Sequence, residues 1–229
     1  MCIRDRIKGC IFDLDGVIVD TAVYHFKAWK RLANSLGFDF TEEDNEQLKG
    51  VNRVDSLNLI LKWGGVTKDE ATKLELATRK NNWYVEAIDK MTVDEILPGV
   101  LPLLASLKEK GIRIALGSAS KNAVRVLKGT GIIDYFEVIM DGTNVTKGKP
   151  DPEVFLKGAL NLGLEPKECI VFEDAARGVE AALNGGFYAV GIGEKSSLGA
   201  AHLVIPGFAD IGFDEIIQEL NLTSINNFE

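Results

Sequence analysis

The sequence has few of the features that mark secreted, membrane or disulfide-rich proteins. It contains only three cysteines, Cys2, Cys10 and Cys169, without a C-x-x-C spacing. Two of them lie in apolar runs that predict buried strands, so we expect free thiols in a reducing cytoplasm. No apolar run approaches the roughly 20 residues of a membrane-spanning helix. Residues 1–8 lack the apolar segment of a secretion signal, and we expect residues 1–6 to be a leader without function.

Positive charge is also scarce, because 26 lysines and arginines face 34 acidic residues, for a net charge of −8. This balance argues against nucleic acid or an anionic membrane as a partner. An anionic substrate would therefore need a local positive patch or a metal ion. The length of 229 residues fits one α/β domain, or one domain with an inserted module, and we expect a monomer.

Apolar runs alternate with amphipathic segments along most of the chain. Residues 7–19 have the pattern of a buried parallel strand that enters a loop. Further strands are predicted at 113–116, 138–140, 169–172, 188–192 and 203–205, and helices at 98–110, 121–130, 152–163 and 176–185. This alternation predicts an α/β fold with a doubly wound, Rossmann-like parallel sheet.

Residues 20–92 interrupt that alternation with four predicted helices, at 22–36, 42–49, 53–63 and 68–90. Gly37 is typical of a helix C-terminus, and Thr41 to Asp44 is typical of a capping box. We therefore expect a helical cap of residues 20–92 on a core of residues 1–19 and 93–229. Because ligands bind at the carboxyl ends of strands in open α/β sheets, this insertion is placed to act as a lid.

Two aspartates, Asp13 and Asp15, stand where the first predicted strand ends. Side chains at i and i+2 of a strand project to the same side. Two close carboxylates raise each other's pKa unless a cation lies between them or one is protonated. The alternative is a surface turn that ends a strand with Asp-Gly. Taken alone, the pair leaves both readings open.

Three further polar segments each follow a predicted strand. Residues 118–122 present small hydroxyl side chains before a helix, which suits phosphate, although Ser120 could simply cap that helix. Lys149 lies beside a proline in a loop that could equally be a charged connection to the next helix. Glu173 and Asp174 end another strand and are suitable Mg²⁺ ligands, but they could also cap a helix. All four segments are predicted at one edge of the sheet, which favours a common function.

Together, the four segments resemble the four motifs of the haloacid dehalogenase superfamily of phosphotransferases, and the similarity covers residues 7–220. The resemblance implies that Asp13 is the nucleophile and Asp15 the general acid and base, and that Ser118 and Lys149 bind the transferring phosphoryl group. It also implies a Mg²⁺ site formed by Asp13, the backbone carbonyl of Asp15, Glu173 and Asp174.

The inserted segment is similar to the α-helical cap of one branch of that superfamily, the sugar-phosphate mutases that interconvert β-D-glucose 1-phosphate and D-glucose 6-phosphate through a bisphosphate. The similarity lies in residues 20–29, 47–53, 79–81 and 118–122, with Asn52 where a serine is commoner. It implies an isomerase of carbohydrate metabolism. The residues that it implies for phosphate and substrate binding are Thr21, His25, Trp29, Lys49, Gly50, Arg53, Lys80, Ser118, Ala119, Ser120, Asn122 and Lys149.

A mutase needs a second anion site for the phosphate already on the sugar, and Lys49, Arg53 and Lys80 are candidates for it. Lys80 could instead lie on a solvated helix face. His25 could orient Asp15 or be an ordinary polar residue, and Trp29 fits cap packing better than sugar stacking. Two other functions stay open: a sugar-phosphate phosphatase with the same core, and a sugar-phosphate-binding regulator without catalysis.

Overall fold

The computed structural model describes residues 6–226, and the side chains of residues 6–221. Six strands form one sheet, and helices connect them. The strands are β1 (Gly9–Phe12), β2 (Arg113–Gly117), β3 (Val138–Met140), β4 (Cys169–Glu173), β5 (Tyr188–Ile192) and β6 (Leu203–Ile205).

All neighbouring strands pair in parallel, in the order β3-β2-β1-β4-β5-β6. Strand β1 lies at the centre, where the order changes direction, and this is the point at which doubly wound sheets bind ligands. The predicted fold class is confirmed. The helices of this part of the chain are α5 (Val100–Glu109), α6 (Ala123–Gly129), α7 (Glu153–Asn161), α8 (Ala176–Asn184), α9 (Lys195–Leu198) and α10 (Phe213–Asn226).

Both faces of the sheet are buried. Cys10 and Phe12 pack into the hydrophobic cluster on one face, while Ile11 between them packs into the cluster on the other. Because successive side chains of a strand alternate between faces, β1 has to be apolar throughout. Cys10 and Cys169 are buried free thiols on opposite faces, as expected, whereas Cys2 and nearly all of the leader lie outside the described residues.

Four helices follow β1 before the chain returns to the sheet. They are α1 (Ala22–Ser35), α2 (Glu42–Glu46), α3 (Arg53–Trp63) and α4 (Glu70–Ile88). Their facing sides form a third hydrophobic cluster around Trp29, Leu32 and Ile60. The predicted capping box is present at the start of α2, and Gly37 has a left-handed backbone after α1. The exact domain boundaries stay a prediction.

The chain leaves the core and re-enters it at adjacent points. Val19 and Ile96 form an antiparallel bridge, and the Leu97 amide donates to the Ile18 carbonyl at 2.9 Å. The two connections between the helical segment and the sheet therefore lie side by side.

Most predicted elements begin and end within a few residues of the observed ones, whereas α9, α10 and three short 3-10 helices were not predicted. Within residues 6–226, every helix is too short or too polar to cross a lipid bilayer.

Candidate active site

Strands β1 and β4 place three carboxylates together at the carboxyl edge of the sheet. The two strands pair with Phe12 opposite Phe172, and the Asp13 amide donates to the Phe172 carbonyl at 2.9 Å. The residues that follow, Asp13 on one side and Glu173 and Asp174 on the other, therefore meet. Each offers a carboxylate oxygen, and these atoms lie within 4.8 Å of one another.

The Lys149 ammonium lies among these carboxylates. Its Nζ donates to Asp13 Oδ1 at 2.7 Å and also to Glu173 Oε1, and the residue is only 3% exposed. Burial alone would lower the pKa of Lys149, but the charges of Asp13 and Glu173 outweigh it and hold that pKa above its usual value. The lysine is thus a fixed positive charge beside the predicted nucleophile. This excludes the alternative that Lys149 is only a solvated residue of a charged loop.

The residues present fit a divalent cation. Burial raises the pKa of Glu173 to about 8 and that of Asp174 to about 7, and the negative charge of Asp13 adds to both shifts. Clustered buried carboxylates are costly unless a cation balances them, and carboxylate oxygens are suitable ligands for hard cations. The Asp15 carboxylate is not part of this cluster. The backbone beside it is close, since a Cβ on Gly16 would lie 2.2 Å from Asp174 Oδ2.

The Asp15 carboxylate occupies a separate position in the same loop. Burial, followed by the charge of Asp13, raises the pKa of Asp15 to about 7, while Lys149 and Lys80 act in the opposite direction. Its Oδ1 is buried and makes no hydrogen bond. A carboxyl group with this pKa can donate or accept a proton near neutral pH, as a general acid and base must.

A turn of small residues follows β2 next to the carboxylates. Ser118 is buried, and its Oγ accepts from the Ser120 amide at 3.1 Å, while Ser120 Oγ accepts from the Asn122 amide at 3.2 Å. Asn122 is the N-cap residue of helix α6 and makes no side-chain capping hydrogen bond, while Ser120 Oγ accepts from its backbone amide, so Ser120 still supports the start of the helix. Ala119 lies in the same turn. Because β1 and β2 pair with Phe12 opposite Leu116, this turn and Asp13 follow neighbouring strands at the same edge of the sheet.

Lys80 points from α4 into the site and is only 2% exposed, so the solvated-face alternative is wrong. Its Nζ lies 2.8 Å from His25 Nδ1 and 4.3 Å from the centre of the Trp29 ring. Burial, and then the charge of Arg53, holds the pKa of Lys80 well below its usual value. Trp29 is buried in the cap cluster, in line with a packing role.

His25 stacks on Tyr84 with ring centres 4.1 Å apart. Burial and the charge of Lys80 lower the pKa of His25 well below its usual value. The neutral imidazole is therefore the favoured form, and its Nδ1 can accept a hydrogen bond from Lys80 Nζ.

Arg53 begins α3, and the Asn52 side chain caps that helix by accepting from the amides of Val54 and Asp55 at 3.0 and 3.1 Å. The unusual asparagine therefore has a structural role. Burial lowers the pKa of Arg53. Across the described residues, neither Arg53 nor Lys80 forms an ion pair with a carboxylate. These two neighbouring cations are available to an anion.

The loop between α2 and α3 contacts the core directly. Lys49 Nζ lies 3.5 Å from Asp174 Oδ2, and a Cβ added to Gly50 would be in ordinary van der Waals contact with the Ala175 Cβ, at 3.5 Å. Gly50 also has a positive φ of 71°, which favours glycine. A second contact joins Asn122 Nδ2 to Asn81 Oδ1 at 3.0 Å. Thr21, at the start of α1, is fully buried at the same boundary.

Two residues near the site were not singled out from the sequence. Arg177 donates through Nε and Nη2 to the Lys149 carbonyl oxygen, at 3.2 and 2.8 Å. Tyr84 is buried beneath His25 and Lys80. The only sequence signal for Tyr84 is its position one helical turn after Lys80. The only sequence signal for Arg177 is its position three residues after Asp174.

Comparison with known proteins gives consistent matches. The sequence profile of the haloacid dehalogenase-like hydrolases matches residues 7–186. The chain is 44% identical over 215 residues to the β-phosphoglucomutase of Bacillus subtilis, a match that covers 93% of this chain and 95% of the relative. It is 31% identical over 220 residues to a phosphorylated carbohydrates phosphatase of Thermotoga maritima, with 93% of this chain and 98% of that protein covered. The crystal structure of β-phosphoglucomutase from Clostridium difficile superposes with a TM-score of 0.92 at 42% identity, with 96% and 99% of the two chains covered.

Proposed function

The chain belongs to the haloacid dehalogenase-like hydrolase family, and from that premise we propose that it interconverts β-D-glucose 1-phosphate and D-glucose 6-phosphate, as a phosphomutase. The reaction would proceed through an aspartyl-phosphate on Asp13 and a glucose 1,6-bisphosphate intermediate. Similarity to named β-phosphoglucomutases over nearly the whole chain supports this proposal.

The observation that carries the proposal beyond the family is the unpaired cationic pair in the cap. The charge of Arg53 contributes to lowering the pKa of Lys80, and the charge of Asp15 acts in the opposite direction. Neither Arg53 nor Lys80 has a carboxylate ion-pair partner among the described residues. A phosphatase needs one phosphate site, which the core supplies. A mutase needs a second, and this pair offers the right charge to hold the phosphate that is not transferred.

The proposed roles in the core follow from the positions of the side chains. Asp13 attacks the phosphoryl group, whose oxygens are bound by Lys149 and the turn at Ser118. Asp13, Glu173 and Asp174 would hold Mg²⁺, which supplies charge neutralisation of the phosphoryl oxygens when bound.

Asp15 would protonate the sugar oxygen as it leaves and deprotonate the sugar hydroxyl that attacks next. The pKa of Asp15, raised to about 7 by burial, leaves both protonation states populated near neutral pH. His25 and Lys80 lie on the cap side of this carboxyl group and would orient it and the substrate.

The cap would exclude water from the aspartyl-phosphate. The contacts of Lys49 and Gly50 with the segment after β4 close the site, and Asp13 is only 6% exposed. Exclusion of water separates transfer to a sugar from hydrolysis. We extend the proposal to a helical cap of residues 20–92 on a monomer of the cytoplasm, a location in keeping with the free thiols of Cys10 and Cys169.

The test supplies β-D-glucose 1-phosphate, Mg²⁺ and a trace of glucose 1,6-bisphosphate, and follows glucose 6-phosphate and free phosphate separately. Glucose 6-phosphate is expected as the main product, and an Asp13→Asn variant should form neither. Free phosphate as the main product would overturn the mutase proposal and favour a phosphatase, for which the Thermotoga maritima relative is the supporting observation. Failure of every phosphoryl donor to label Asp13 would favour a binding protein without catalysis.

A further inference from the structure

Three buried polar side-chain atoms in residues 6–221 have no hydrogen-bond partner. They are Asp15 Oδ1, Thr21 Oγ1 and Tyr84 OH. Such atoms are rare, because an unpaired buried polar group costs free energy. These three do not lie in three unrelated places. Asp15 follows β1, Thr21 precedes α1 and Tyr84 lies on α4, so all belong to the boundary between the core and the cap helices.

The surroundings of Tyr84 place its phenol inside the site. The residue is 1% exposed, His25 stacks on its ring at 4.1 Å, and Lys80 Nζ lies 5.0 Å from the ring centre. Burial raises the pKa of Tyr84, the charge of Asp15 raises it further, and the hydroxyl groups of Thr21 and Ser120 act against them. Those hydroxyls are therefore near the phenol, although neither forms a hydrogen bond of normal geometry with it.

The chemical character of the three groups identifies what they can bind. The protonated phenol can donate and accept, the Thr21 hydroxyl can do both, and the carboxylate oxygen of Asp15 accepts. A phosphate oxygen cannot donate to Asp15 and would be repelled by it. A hydroxyl group both donates and accepts, so it can satisfy several of these atoms at once.

We propose that Tyr84 and Thr21 form a subsite that binds a hydroxyl group of the sugar ring beside Asp15. This inference rests on the proposed function, because that function supplies a sugar as the substrate. The subsite would select sugar phosphates over simple phosphate esters, since a pocket built to hydrogen-bond a hydroxyl group discriminates strongly against ligands that lack it.

The first experiment compares Tyr84→Phe with the unmodified protein. The change removes one neutral hydrogen bond to the sugar, so kcat/KM for β-D-glucose 1-phosphate should fall about fivefold to tenfold. Hydrolysis of para-nitrophenyl phosphate should change less than about twofold, because that ester brings no sugar hydroxyl. The Tm should stay equal or rise, since the lost phenol oxygen has no partner in the free protein. Tyr135→Phe, which removes a phenol outside the site, is the matched control and should change neither rate.

The second experiment identifies the hydroxyl with 2-deoxy, 3-deoxy and 4-deoxy glucose phosphates. With the unmodified protein, one deoxy analogue should react more slowly than the parent sugar phosphate. With Tyr84→Phe, that analogue and the parent should react at the same rate, because the hydrogen bond to this hydroxyl group is already absent. Equal losses for Tyr84→Phe on sugar and non-sugar esters, or additive losses for every analogue, would overturn the subsite. Unchanged sugar kinetics would also overturn it and would assign the three atoms to ordered water.

The outcome is separable from that of the proposed function. If the protein only hydrolyses sugar phosphates, the mutase proposal fails, but the same comparison between sugar and non-sugar esters still tests the subsite through the rate of phosphate release.

Discussion

Replacement of Arg53 by alanine tests the second anion site directly. Arg53 is half-buried at the first position of α3, beside Lys80 and without an ion-pair partner in the described chain. A guanidinium can bind a phosphate through two parallel hydrogen bonds, and a charged contact of this kind contributes about 3 kcal/mol. Its loss should therefore lower kcat/KM of the mutase reaction roughly 100-fold.

The stability of the protein should be almost unaffected by this change. The Asn52 side chain, not Arg53, caps α3, and a positive charge at a helix N-terminus is unfavourable. We expect the free energy of unfolding to change by less than about 0.5 kcal/mol. Lysine at position 53 should keep the charge but lose the paired contact, and should lower kcat/KM roughly tenfold.

The assay measures glucose 6-phosphate formation and, in parallel, hydrolysis of para-nitrophenyl phosphate, which has no second phosphate. The second rate should change less than about threefold, because its single phosphate is held by the core. Arg31→Ala is the control, since Arg31 lies on the exposed face of α1 with its guanidinium 4.0 Å above the Trp83 ring. Equal losses in both assays, or the same loss for Arg31→Ala, would refute Arg53 as the distal-phosphate residue.

Three further predictions concern the core. Phosphoryl transfer from glucose 1,6-bisphosphate to Asp13 needs protonated Asp15, and the pKa of Asp15 is raised to about 7. The rate of this transfer, measured by rapid mixing, should therefore fall tenfold per pH unit above pH 7. A rate that does not depend on pH would contradict this role. Gly178→Ala would place a Cβ 1.9 Å from Glu173 Oε1, and the displaced carboxylate should weaken Mg²⁺ binding in calorimetry at least tenfold. Arg177→Ala removes both hydrogen bonds to the Lys149 carbonyl and should lower kcat about fivefold with little change in KM, and added guanidine should restore part of it.

Controls for the last two variants come from the same chain. Gly207→Ala adds a Cβ with no atom within 4 Å, so it should leave Mg²⁺ affinity unchanged. If Gly178→Ala binds Mg²⁺ as well as the unmodified protein, Glu173 is not a ligand. If Arg177→Ala alters KM and kcat alike, its contact with Lys149 does not serve phosphoryl transfer.

The core of the site was predictable because of a simple topological rule. Parallel strands end at one edge, so Asp13, Ser118 and Glu173 could be assigned to a common place from the order of strands and polar residues alone. Short apolar runs with Gly or Asp at their ends also set the strand boundaries well. Helix α10 was not predicted, and it follows the last strand and all four of the functional segments.

The cap residues were less predictable because their environment is created by other elements. Lysine is typical of exposed helix positions, yet Lys80 is buried and its Nζ lies against the Trp29 ring of α1. In the sequence, Tyr84 cannot be distinguished from an ordinary core aromatic residue. Its hydroxyl group becomes a candidate binding group only because the fold brings it near Asp15 and Thr21. Arg177 acts on a backbone carbonyl 28 residues earlier in the chain, which no local pattern encodes.

The bridge between Val19 and Ile96 makes the helical segment removable in principle. Since its two ends meet, a short turn could join them and leave the strand order and the catalytic loops as they are. Such a shortened protein would keep the Asp13 nucleophile and the carboxylate cluster, but water could then reach the aspartyl-phosphate and the choice of sugar acceptor would be lost. The same arrangement allows evolution to exchange one lid for another, and so to assign new substrates to an unchanged sheet.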